Sequence, residues 1–145
     1  MGLDMYLRGE KFKRTELNDG GDTPINVQMV DGFERKSEIL RLGYWRKHAP
    51  LHKLIVDTFA DGVDECQVIH LSADDCRKIA QMLRQRELPA FHECDGFFFG
   101  KGDLWREYVA EADKDADLFE RVAEWSDMDK DGGAYWHDVE YQASW

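Results

Sequence analysis

The stretch Cys66-Gln-Val-Ile-His-Leu-Ser-Ala-Asp-Asp-Cys-Arg-Lys-Ile-Ala-Gln-Met-Leu83 changes its apolar pattern halfway, and that change sets the fold class. Residues 66–71, CQVIHL, form a short apolar run of strand length. Within it His70 is read as a core residue whose ring is hydrogen-bonded. Ser72 supplies an N-capping hydroxyl, and Asp75, three residues on, completes a capping box with Asp in place of the usual Glu. Cys76, Ile79, Ala80 and Leu83 then fall on one helical face, so a strand runs directly into a helix.

Towards the N-terminus, Pro50 suits a first helical turn, and Leu51, Leu54, Ile55, Thr58 and Phe59 follow at helical spacing until Asp61-Gly62. Asp31-Gly32 reads as a turn after a short strand at 25–30, and residues 15–24, TELNDGGDTP, read as a loop. Leu3, Met5 and Leu7 alternate with Asp4 and Tyr6, the period of a half-buried strand.

Towards the C-terminus, Leu88-Pro89 ends the capped helix. Asp103 is placed to cap a third helix, in which Trp105, Tyr108, Val109 and Ala112 share one face while Glu107, Glu111 and Asp115 face water. Leu118 to Trp125 continue or restart it. After Gly132-Gly133 the period becomes two, with Tyr135, His137, Val139, Tyr141, Ala143 and Trp145 on one side. Strands and helices mix without a βαβα order, which predicts a single α+β domain over residues 1–145. A mainly antiparallel sheet packs with about three helices.

The 145 residues carry 30 Asp and Glu against 19 Lys and Arg, for a net charge of −11. That balance disfavours direct DNA binding and an anionic membrane surface. Residues 1–60 hold ten Lys/Arg and nine Asp/Glu; residues 61–145 hold nine and twenty-one. No apolar run approaches 18 residues and no basic-then-apolar leader opens the chain, so the expected location is the cytoplasm. Cys66, Cys76 and Cys94 lack metal-ligand spacing and are expected as buried, reduced thiols.

Tyr44-Trp45-Arg46-Lys47-His48, followed by His52 and Lys53, is the densest cationic and aromatic cluster, placed by this reading at a helix start. A guanidinium, ammonium groups and ring faces at a helix N-terminus suit a small anionic, nucleotide-like ligand. Tyr44, Trp45, Arg46, Lys47 and His52, with Phe97, Phe98 and Phe99 of the glycine-bracketed run Gly96 to Gly100, are the candidate ligand-binding residues. His48 and His52 are four apart, the spacing of half a metal site that would need a third ligand such as His92 or His137. Asp127, Asp129 and Asp131 with Gly132 match the first half of a calcium loop. Position twelve is Asp138, and a strand follows where a helix should exit. Calcium is the one cofactor this pattern suggests. No nucleophile elbow, P-loop or Rossmann glycine pattern is present, so no catalytic residue is assigned.

The segments Gly2-Leu3-Asp4-Met5-Tyr6-Leu7, Gly43-Tyr44-Trp45-Arg46-Lys47 with His52, Leu88-Pro89 before Gly96 to Gly100, and Tyr141-Gln142-Ala143-Ser144-Trp145 resemble, in order along the chain, a family of small uncharacterised phage and prophage proteins. The chain departs from that pattern in its Asp-rich 127–131 segment and its shorter middle region. The resemblance implies a phage accessory protein in the host bacterial cytoplasm and supplies no mechanism. The leading expectation is a non-enzymatic binder of a small anionic ligand, suited to counter-defence. One alternative is an acidic inhibitor of a host nucleic-acid-binding protein, and another is a hydrolase using His52 and carboxylates.

Overall fold

The computed structural model describes residues 2–13, 29–86, 110–128, 130, 133 and 135–145. Strands β1 (Asp4–Lys13), β2 (Met29–Val30), β3 (Phe33–Glu34) and β4 (Ser37–Arg46) come first. Helix α1 (Ala49–Phe59), strand β5 (Ile69–His70), helix α2 (Ala73–Arg84), helix α3 (Ala112–Asp127) and strand β6 (Tyr135–Ser144) follow. The main sheet runs β4-β1-β6-β5, and every neighbouring pair is antiparallel. The protein is therefore α+β, with a mainly antiparallel sheet and three helices among the described residues.

One face of the sheet is apolar because the alternation holds. Leu3, Met5 and Leu7 beside or on β1, and Val139, Tyr141 and Ala143 on β6, are buried with Leu51, Leu54 and Ile55 of α1. Helix α2 contributes Cys76, Ile79, Ala80 and Leu83, the face read from the sequence, and Ser72 and Asp75 form the reciprocal capping box. Ala112, Ala116, Phe119, Val122 and Ala123 of α3 complete the same core. Asp31 (φ 51°) and Gly32 (φ 84°) join β2 to β3, as a two-residue hairpin with left-handed central residues requires. Residues 14–28 and 87–109 lie outside the described set, and with them the whole 15–24 loop, residues 25–28 of the strand expected at 25–30, and Asp103.

The structure departs from the sequence pattern at several positions. Strand β4 occupies the 37–46 segment, so Tyr44 to Arg46 lie on a strand and not at the helix start, whereas α1 begins at Ala49 with Pro50 in its first turn, as the sequence predicts. The strand expected over 66–71 is reduced to Ile69–His70, and Cys66, at φ 58°, lies outside the ladder. His70 is an exposed residue on an edge strand, its side chain 65% accessible, rather than a core histidine. Asp115 is 6% exposed rather than facing water. It stands three residues after Ala112 and four before Phe119, inside the buried stripe. Cys76 is buried, and desolvation pushes its thiol up to about 12, whereas Cys66 is only half-buried. Cys94 lies outside the described residues.

Helices α2 and α3 are also joined by ion pairs at their surface. Arg84 reaches Glu120 at 3.0 Å and Asp117 at 2.5 Å, Arg86 reaches Asp113 at 3.0 Å, and Arg77 contacts Asp127. These guanidinium hydrogen bonds hold the Glu120, Asp113 and Asp127 carboxyls below their usual range. A carboxyl with a lowered folded pKa stabilises the fold above its unfolded value of about 4, and that contribution is lost as pH falls through the folded pKa. We expect the urea midpoint to drop between pH 5 and pH 3, and the drop to shrink in the double variant Arg84→Gln, Arg86→Gln. An identical slope in the variant would show that the pairs contribute nothing.

Candidate functional site

The side of the sheet turned away from the helices carries the even-numbered residues of β1 and β6. Asp4, Tyr6 and Arg8 of β1 stand beside Ser144, Gln142 and Glu140 of β6. On the other flank Asp4 pairs with Arg46 and Tyr6 with Tyr44. The register shifts between Leu7 and Arg8, which brings Arg41 opposite Arg8 and leaves Leu42 as the extra residue. The bulge thus turns Arg41, Tyr44 and Arg46 to one face.

These residues touch one another in sequence. The Tyr6 and Tyr44 rings lie 5.4 Å apart at 50°, and the Arg41 guanidinium sits 4.8 Å from the Tyr44 ring centroid. The Tyr44 hydroxyl donates to Asp4 Oδ1 at 2.6 Å, and this bond holds the phenol proton and raises the Tyr44 pKa. Arg46 Nε is 4.0 Å from the same Asp4 oxygen. Tyr44 is 42% exposed, and the Arg46 side chain is 66% exposed. A flat ligand can stack on such rings while its anionic group meets the two guanidinium groups.

The other residues of the sequence cluster are placed elsewhere. Trp45 points to the opposite face, where its ring stacks on Phe119 at 5.7 Å and 4° and its Nε1 donates to Asp115 Oδ1 at 3.0 Å. Lys47 follows the strand in a left-handed conformation (φ 58°) and its backbone N–H donates to Leu3 at 2.7 Å. His48 caps α1: its Nδ1 accepts from the Leu51 N–H at 3.3 Å, so Nε2 carries the proton and donates to Asp115 Oδ2, also at 3.3 Å. His52 is buried, with Nδ1 2.6 Å from the Tyr141 hydroxyl and Nε2 2.9 Å from Asp64 Oδ2. Burial, with Asp64 as a second cause, pushes the Tyr141 phenol well above its ordinary pKa. His48 and His52 therefore serve two separate carboxylates instead of converging on one ion. Phe97, Phe98 and Phe99 lie outside the described residues.

Of the calcium-like loop, Asp127 ends α3 and its carboxylate is engaged by Arg77 and by Lys130 at 3.7 Å; Asp129 and Asp131 lie outside the described residues. A different group of potential metal ligands stands at the β5 edge. His70, Asp138 and Glu140 place one donor atom each within 4.8 Å of the others. His70 and Asp138 border a cleft of about 560 Å³ whose lining also includes Ser72, Asp74, Asp127 and Trp136.

Sequence reasoning passed over Tyr6, Arg41 and this trio. Tyr6 was legible as the outward residue of β1, and the alternation that marked β6 placed Asp138 and Glu140 together on its polar side. Which strand lies against which was not legible, and only strand pairing brings Tyr6 to Tyr44 or His70 to Glu140. No protein-family model, curated protein or solved structure matches the chain.

Proposed function

We propose that the protein is a non-enzymatic binder of a small anionic, nucleotide-like ligand, taken up on the outer sheet face by Tyr6, Tyr44, Arg41 and Arg46. The observation that carries this reading is the ring pair of exposed Tyr44 and half-buried Tyr6, with a guanidinium over the Tyr44 ring and a second guanidinium on the same face. It keeps Tyr44 and Arg46 from the sequence cluster and replaces Trp45, Lys47 and His52 by Tyr6 and Arg41. The likeness of the Gly2 to Leu7, Gly43 to Lys47 and Tyr141 to Trp145 segments to small phage proteins supports an accessory role in a host cell, where such a ligand would be sequestered.

The alternative of an acidic inhibitor draws less support, because Asp113, Asp117, Glu120 and Asp127 are paired with arginines of α2 and of the turn that follows it. The hydrolase alternative rests on His52, which is buried with both ring nitrogens engaged.

The test is a thermal-shift titration against linear and cyclic nucleotides. A ligand at 100 times its Kd stabilises the fold by about 2.7 kcal/mol. At this chain length the melting temperature should rise by roughly 8 °C. Arg41→Ala and Arg46→Ala should each reduce that rise sharply while leaving the unliganded melting temperature within about 2 °C, since surface substitutions cost little. No shift with any nucleotide, or a shift that both variants retain, would sink the reading.

A further inference from the structure

The geometry points to a divalent transition-metal site formed by His70, Asp138 and Glu140. It lies at the β5 edge of the sheet, away from the Tyr44 platform, and does not depend on it. His70 and Glu140 are a direct cross-strand pair, and Asp138 lies two residues before Glu140 on the same face of β6. The backbone ladder therefore fixes the spacing of the donors before any ion arrives. His70 Nδ1 is 3.5 Å from Asp138 Oδ2 and 4.0 Å from Glu140 Oε1. Metal bonds of about 2.1 Å to imidazole and carboxylate place neighbouring donors roughly 3.0–3.5 Å apart. The His70–Asp138 separation already satisfies this, and a rotation of the longer Glu140 side chain closes the remainder.

The donor set narrows the ion. One imidazole with two carboxylates suits Zn²⁺, Mn²⁺, Fe²⁺ or Co²⁺ more than the oxygen-only ligation that calcium and magnesium prefer. Three protein ligands on one face leave coordination positions open, the arrangement of a site that takes a further ligand. Asp138 and His70 both line the 560 Å³ cleft, so those open positions face a space large enough for an oxyanion or a small chelating molecule.

Arg8 sets the strength of the site. Its Nη2 is 3.8 Å from Glu140 Oε2 and donates to Gln142 Oε1 at 3.0 Å. A cation at the trio must share Glu140 with this guanidinium, so Arg8 opposes metal binding. Removing the arginine should tighten the site, an effect opposite in sign to removal of a ligand.

The experiment is Co²⁺ titration of the untagged full chain, followed by visible absorption and by competition with Zn²⁺. The wild type should bind one Co²⁺ with the weak bands of nitrogen and oxygen ligation and without thiolate charge transfer, which separates the trio from the cysteines. His70→Ala and Glu140→Gln, both at exposed or half-exposed positions, should weaken binding at least 10-fold, and Arg8→Gln should tighten it several-fold. Circular dichroism of each variant checks that the fold is retained. Equal affinity in wild type and His70→Ala would reduce the trio to an ion-paired surface group and overturn the proposal, as would the absence of Co²⁺ binding in both wild type and Arg8→Gln.

Discussion

Asp115→Ala should lower stability by about 3 kcal/mol, since each buried donor left without its acceptor costs about 1–3 kcal/mol. The carboxylate is the meeting point of two elements that the sequence separates by about 70 residues. It accepts from Trp45 Nε1 at 3.0 Å and from His48 Nε2 at 3.3 Å. Through Trp45 it ties α3 to β4, and through His48 it holds the ring whose other nitrogen caps α1. Truncation therefore removes the acceptor of two ring N–H groups at once and loosens a helix cap as well. The melting temperature should fall by roughly 10 °C at this chain length. Asp115→Asn should fall between wild type and Asp115→Ala, because its amide oxygen still accepts one hydrogen bond while its amide nitrogen faces the second donor. An Asp115→Ala protein within about 0.5 kcal/mol of wild type in urea unfolding would show that the network is incidental.

Asp115 lies where sequence pattern stops being informative. Strands β1 and β6 and helix α2 were legible because each obeys one period over its length: Leu3, Met5 and Leu7; Val139, Tyr141 and Ala143; Cys76, Ile79, Ala80 and Leu83. Strand β4 was not legible, because its register slips at the bulge and places Leu42 out of phase with Trp45. The sequence alone therefore places residues 44–48 at a helix start and shows no strand before it. His70 misled for a related reason: Val68, Ile69 and Leu71 are apolar, but a two-residue edge strand buries one side only and His70 is on the other. Asp115 misled because a charge on a helical wheel is read as a solvated face. The only signal that contradicted it was position, with Ala112 and Phe119 on the same stripe, and its partners Trp45 and His48 could not be named without the tertiary structure.

The same limit applied to the candidate site. Tyr44 and Arg46 share the outer face, but Trp45 between them necessarily faces the core once the segment is a strand, since successive side chains alternate. The ligands Asp138 and Glu140 fell on the polar side of the last strand. They gained meaning only when β5 paired there and set His70 beside them.

Gly9→Val should be destabilising by about 2–3 kcal/mol, against the direction that strand propensity alone would give. Gly9 sits in the middle of β1 on the helix-facing side, paired with Leu40 and Val139. A Cβ there would lie 2.6 Å from Trp125 Cη2 and 2.8 Å from Cζ3, closer than carbon atoms can approach. The indole has little room to withdraw, because the His137 ring meets it edge-on at a centroid distance of 4.5 Å. A valine would gain β-propensity and reduce the freedom of the unfolded chain, together worth about 1 kcal/mol. The overlap costs more, because it moves an aromatic ring that locks α3 onto the sheet. Combining Gly9→Val with Trp125→Leu should therefore recover stability: the double variant should be at least 1 kcal/mol more stable than the sum of the two single effects predicts, since the residues are in direct contact. Strict additivity in urea unfolding would show that Trp125 is not what excludes a side chain at position 9. A stabilised Gly9→Val would show that strand propensity governs this position after all.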